Sequence, residues 1–132
     1  MENQTKQVAI QFLTAVQQGD NQTLAALLDE HIEWEQPGNN RFSGFKSDIT
    51  QVFQMVGGMF EHTGNTLQLS AIKDIAVSGN SVACLIQWKA QRPDGGTLDV
   101  HNIDVYTVTA GKIVKAKVYT CDPTQEDLFW GK

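Results

Sequence analysis

The chain has 132 residues, 41% of them hydrophobic and 19% charged, with a formal net charge of −5. These values suit one globular domain with a sizeable core and exclude a disordered chain. The acidic balance argues against a nucleic-acid or anionic-membrane surface, and no apolar run approaches the ~20 residues that cross a bilayer.

The opening MENQTKQVAIQFL lacks a basic stretch leading into an apolar one, so no signal peptide is expected. Val8, Ala9, Phe12, Leu13 and Val16 recur at helical spacing and predict a first helix over Asn3–Gln18. Gly19-Asp20 ends it, and Asp20 or Asn21 caps a second helix from Thr23 to about Leu28. Ile32–Gln36 alternates apolar and polar and stops at Pro37-Gly38, which reads as a strand and turn with Trp34 and Gln36 on one face. Ser43 or Ser47 is expected to cap a third helix carrying Ile49, Val52, Phe53, Val56 and Phe60, with Gly57-Gly58 weakening its last turn.

After Gly64-Asn65 the helical period disappears. Leu67–Val77, Ser81–Gln91, Thr97–Val108 and Lys112–Thr120 read as strands, separated by turn residues that include Pro93-Asp94-Gly95-Gly96 and Ala110-Gly111. The tail ends in Phe129-Trp130, an apolar plug expected to fold back. The whole predicts an α+β domain over residues 1–132, with three N-terminal helices packed on a curved, mostly antiparallel β-sheet. Three short helices cannot cover a concave sheet face completely, so a conical pocket should lie beneath them.

The strand Thr97–Val108 holds the oddest feature of the chain. Side chains alternate along a strand, so Val100, Asn102, Asp104, Tyr106 and Val108 share one face. The return strand sets Val114, Ala116, Val118 and Thr120 in a nearly apolar row. Asp104 is therefore a carboxylate at the middle of a half-apolar surface. It is either a pocket acid whose pKa is raised by its neighbours, able to donate a hydrogen bond or shuttle a proton, or a structural carboxylate held by Asn102, Tyr106 or backbone.

The order of elements resembles the nuclear-transport-factor-two-like superfamily, which includes ketosteroid isomerases and SnoaL-like polyketide cyclases. The likeness covers essentially the whole chain. It rests on Gln17-Gln18-Gly19-Asp20, Ile32 to Pro37, Ser43-Gly44, Ile103-Asp104 and Gly111-Lys112-Ile113-Val114. The resemblance implies a cone-shaped pocket for a small molecule. The isomerases place a basic aspartate just before the post-strand proline, where this chain has Gln36, and an amide accepts no proton near neutral pH. Their helix-one tyrosine is matched by Phe12; their third element, a protonated aspartic acid on the penultimate strand, is matched by Asp104. The cyclases work with a His and an acid on the last two strands. Here His101 is out of phase with Asp104, and no acid follows on the final strand until Asp122.

The expected function is the binding of a small apolar, oxygen-bearing molecule. Asp104 is the candidate catalytic acid or base. Phe12, Trp34, Gln36, Phe53, Trp88, Asn102, Tyr106, Val118 and Thr120 are candidate ligand contacts. The alternatives are an isomerase or cyclase using Asp104, and a non-catalytic domain whose cone is filled by Trp34, Trp88 and Phe129. No metal or other cofactor is expected, because His31, His62 and His101 are scattered and Cys84 and Cys121 lack ligand spacing. Reduced cysteines point to a cytoplasmic location. Apolar residues left on the outer sheet face point to a homodimer, with no nucleic-acid or membrane partner.

Overall fold

The apolar stripe of the N-terminal segment becomes helix α1 (Glu2–Gln18) in the computed structural model, which describes residues 1–132. Val8, Phe12 and Leu13 are buried on its inner face. Gly19 closes the helix at φ 67°, a left-handed conformation that costs glycine little. Asp20 then accepts the backbone N–H of Thr23 at 3.1 Å and starts helix α2 (Asn21–Leu27).

Strand β1 (Leu28–Gln36) begins four residues before the alternating pattern does. Its early part is recruited by long-range pairing, since Leu28 lies beside Ile113 of a strand distant in sequence. A three-residue strand β2 (Gly44–Lys46), too short to show any period, pairs antiparallel with the end of β1. Helix α3 (Ile49–His62) is capped by Asp48, whose carboxylate accepts the Gln51 N–H at 2.9 Å, rather than by Ser43 or Ser47. Ser43 serves the preceding loop instead, donating to the Pro37 carbonyl at 2.8 Å. Gly57 and Gly58 lie within α3, not in its last turn. Gly58 is small for a packing reason: a Cβ there would stand 2.8 Å from a ring carbon of Phe42.

Strands β3 (Gln68–Ser78), β4 (Ser81–Gln91), β5 (Thr97–Thr109) and β6 (Lys112–Thr120) follow the sequence expectation closely. The six-stranded sheet has the order β2-β1-β6-β5-β4-β3, with β1 and β6 parallel and every other neighbouring pair antiparallel. Two register shifts in β3 bend that edge, as bulges do. A third lies between Thr107 and Val108 opposite β6, and it changes a phase: Ile113, not Val114, is buried, ahead of Ala116 and Val118.

The chain ends in a fourth helix, α4 (Pro123–Trp130), where the sequence reading expected only a folded-back plug. Asp122 caps it by accepting the Gln125 N–H at 3.0 Å, and Pro123 suits a first turn whose N–H has no partner. Arg92 anchors it from the β4–β5 turn, donating to the Phe129 carbonyl at 2.7 Å with its guanidinium 5.3 Å from the Phe129 ring centre. Asp127 anchors it from the other side, accepting from Asn39 N and Asn40 Nδ2 at 2.8 and 2.9 Å. Phe129 and Trp130 are consequently buried.

One core of 25 buried hydrophobic residues joins the helices to the inner sheet face, each large side chain contributing about 1.5–3 kcal/mol when fully buried. The outer face carries Ile103 and Tyr119 in the open, with Lys115–Glu33 and Lys117–Glu35 ion pairs at 3.7 and 3.4 Å. No helix is long and apolar enough to cross a membrane.

Candidate functional site

The pleat of β5 delivers Val100, Asn102, Asp104, Tyr106 and Val108 to the interior, and all five are buried. Asp104 lies between Cys84 of β4 and Val118 of β6 in the sheet register. In front of this row, beneath α1 and α3, lies a cavity of about 110 Å³. Eighteen of its 24 lining residues are hydrophobic, so an ion entering it would give up its hydration for little in return.

Asp104 is 4% exposed and has one hydrogen-bond partner: Tyr106 Oη donates to Oδ2 at 2.7 Å. Its other oxygen, Oδ1, is buried and unpartnered. Burial pushes the carboxyl up to about 7, against the opposing effect of the Tyr106 hydrogen bond and with help from the nearby Glu126 carboxyl. Burial also raises the Tyr106 phenol well above its ordinary value, with the Asp104 charge acting in the same sense. The Cys84 thiol is raised to about 12, by burial first and Asp104 second. It is a packing thiol, not a nucleophile.

The Tyr106 ring is fixed by Phe12, edge to face at 5.3 Å, and by Trp34 at 6.3 Å. Trp34 Nε1 donates to Gln36 Oε1 at 2.9 Å, which leaves the Gln36 amide nitrogen as that residue's free donor.

The sequence reading missed one polar group here. Glu126 comes from α4, is buried, and lines the cavity. Trp130 Nε1 donates to its Oε1 at 3.4 Å. Asn102 donates through its amide nitrogen to Glu126 Oε2 at 3.2 Å and to the His101 carbonyl at 2.9 Å, since the reversed amide would set its oxygen against acceptors alone. Burial raises the Glu126 carboxyl, and the side chains of Thr120 and Trp130 hold it down in part. A signal for Glu126 was present: Asp122-Pro123 is a helix start, and Glu126, Phe129 and Trp130 then fall at i, i+3 and i+4 on one face.

Of the residues singled out from the sequence, Phe12, Trp34, Gln36, Phe53, Trp88, Asn102, Asp104, Tyr106 and Val118 all line this one cavity. Thr120 does not; its hydroxyl accepts the Asp122 N–H at 3.2 Å and lies beside Glu126, because β6 ends there and α4 intervenes. His101 is off the cavity, paired with Gln87 in the β4–β5 register. Phe129 packs under Arg92 and leaves the cone unfilled. Met55, Met59, Leu98 and Trp130 supply apolar wall that sequence reasoning did not name.

Residues 9–116 match the SnoaL-like domain. A solved protein of cystatin-like fold from Xanthomonas campestris is 36% identical and superimposes with a TM-score of 0.92 over 97% of this chain and 98% of its own. Bal32a, from a soil-derived mobile gene cassette, is 25% identical with a TM-score of 0.93 over 98% of both chains. A nuclear-transport-factor-two-like protein from Burkholderia pseudomallei is 16% identical with a TM-score of 0.85 over 98% of both chains, a likeness of fold alone. No curated protein matches the chain.

Proposed function

We propose that this chain, which belongs to the SnoaL-like family, binds a small, mostly apolar molecule through an oxygen atom presented to Asp104. The unpartnered Oδ1 of Asp104 carries this reading. Buried polar atoms are nearly always paired, and an orphan in an apolar cavity is a site with its partner still to come. With a carboxyl poised at about 7, the neutral acid can donate from Oδ1 while Oδ2 accepts from Tyr106. Gln36 offers a second donor across the cavity. At about 110 Å³ the cavity is smaller than the engineered one of about 150 Å³ that holds benzene, so the ligand is small, a single ring at most.

Acetophenone and ethylbenzene have nearly the same shape and differ in one oxygen, so they make a direct test. Acetophenone should raise the melting temperature more and bind about tenfold tighter, equivalent to one hydrogen bond of about 1.4 kcal/mol. The preference should disappear in Asp104→Leu. Equal binding of the two compounds by the wild-type protein would refute the reading.

A second reading makes the protein an isomerase or cyclase with Asp104 as acid or base. A carboxyl near 7 supports it, because proton transfer is most efficient when the pKa matches the working pH. Asp104→Asn should then abolish turnover and leave ligand affinity within about tenfold; unchanged turnover would remove Asp104 from the mechanism. We further propose a homodimer through the outer sheet face, supported by exposed Ile103 and Tyr119, with monomer alone in sedimentation at micromolar concentration as the contrary result. The free thiols of Cys84 and Cys121 support a reducing compartment such as the cytoplasm.

A further inference from the structure

We propose that Glu126 is a second ligand contact in this cavity, a hydrogen-bond acceptor that selects molecules carrying a hydroxyl or N–H donor in addition to the oxygen engaged by Asp104. The inference rests on the Asp104 reading above and narrows it to a neutral ligand with one acceptor and one donor, a hydroxy-ketone being the simplest case.

The two carboxyl groups share a cavity but not an environment. Glu126 is met by two donors, the Trp130 indole at 3.4 Å and the Asn102 amide at 3.2 Å. Asp104 has the Tyr106 hydroxyl alone. Of two buried acids lining one cavity, the one met by more donors holds a charge more readily. Glu126 is thus the carboxylate and Asp104 the neutral acid, one acceptor and one donor facing the same apolar space.

A carboxylate has about four acceptor positions, so two donors leave Glu126 capacity for another. Asn102, which holds Glu126, and Asp104 are two residues apart on the same face of β5, a spacing of about 7 Å along the strand. A ligand that satisfies both acids therefore carries two separate polar groups. No Lys, Arg or His lines the cavity. An anionic ligand would face Glu126 with nothing to compensate it, so carboxylates should be excluded.

Glu126 also joins α4 to β5, and a group that only fastened the helix would not alter which ligand is preferred. Ligand preference is therefore the readout. The panel is acetophenone, meta- and para-hydroxyacetophenone, para-methoxyacetophenone and para-acetylbenzoate, titrated against the full chain. One hydroxy compound should bind about tenfold tighter than acetophenone, the effect of a hydrogen bond to a charged acceptor. The methyl ether should show no such gain, and the benzoate should bind at least about tenfold more weakly.

In Glu126→Gln the hydroxyl preference should shrink to within about threefold, the amide being a weaker acceptor than a carboxylate. Asn102 can turn its own amide to suit the new side chain, which favours a folded variant. Acetophenone binding without hydroxyl preference in the wild-type protein would overturn this inference and leave the Asp104 reading standing. So would a preference that survives Glu126→Gln. Failure of every probe to bind would overturn both. Should Glu126→Gln not fold, the wild-type panel decides by itself.

Discussion

Replacing Asp104 with Asn should stabilise the protein, and by an amount that grows with pH. An aspartate in the unfolded chain titrates near 3.9, whereas the folded protein holds this carboxyl at about 7. Between these values the native state keeps a proton that the unfolded state has released, so stability falls as pH rises across the window. Below about pH 4 both states are protonated and the contribution vanishes; above about pH 7 it is fully present. A gap of about 3 units at 1.36 kcal/mol each amounts to ~4 kcal/mol of lost stability.

Asparagine carries no charge to bury. Its oxygen can still accept from Tyr106, and its nitrogen takes the place of an Oδ1 that is already unpartnered, so the substitution leaves no additional orphan. The variant should match the wild type near pH 4 and exceed it by roughly 2–4 kcal/mol at pH 8, on the order of 10 °C in melting temperature for a chain of this size. Glu126 is shifted in the same direction, so the quantity to plot is the difference between the two proteins, from urea unfolding at half-unit steps between pH 4 and pH 8.5. A difference that stays flat would contradict the assignment. A wild type that gains on the variant as pH rises would show a carboxylate that is stabilised by the fold, and the case for a pocket acid would fail.

Tyr106→Phe removes the one donor to Asp104 but keeps the ring against Phe12 and Trp34; the Asp104 midpoint should move above about 7, read by carboxyl-carbon NMR, and a downward move would contradict the role given to that hydroxyl. Gly38→Ala places a Cβ 2.6 Å from Asp127 Oδ1 at φ 91°. Both the backbone and the Asn39 and Asn40 anchors of α4 should suffer, with a loss of more than about 1 kcal/mol in a urea melt. A neutral result there would mean that the turn after β1 is not what holds α4 in place.

The strands β4, β5 and β6 were legible because one face of each is buried in a single core and the turns between them are punctuated by Pro, Asp and Gly. The row from Val100 to Val108 followed from alternation alone, and Asp104 stood out as its one charged residue. The bulge near Val108 was not legible. Inserting one residue shifts the phase of β6 without leaving a mark in composition, which is how Ile113 rather than Val114 comes to be buried. The cap of α3 was misplaced by one to several residues, because Ser43, Ser47 and Asp48 all have the chemistry to serve and only the chain path selects Asp48.

Glu126 shows where reading along the chain stops. Its helix start, Asp122-Pro123, and its face shared with Phe129 and Trp130 are local facts, present in the sequence. That this face swings back beside Asn102 depends on Arg92, Asn39 and Asn40, residues from 37 to 88 positions away from their bonded partners in α4. Periodicity and turn chemistry are short-range, so the sequence determined which elements form and which way most side chains face. The joining of two acids around one cavity is set by long-range closure of the chain, and only the tertiary structure decided it.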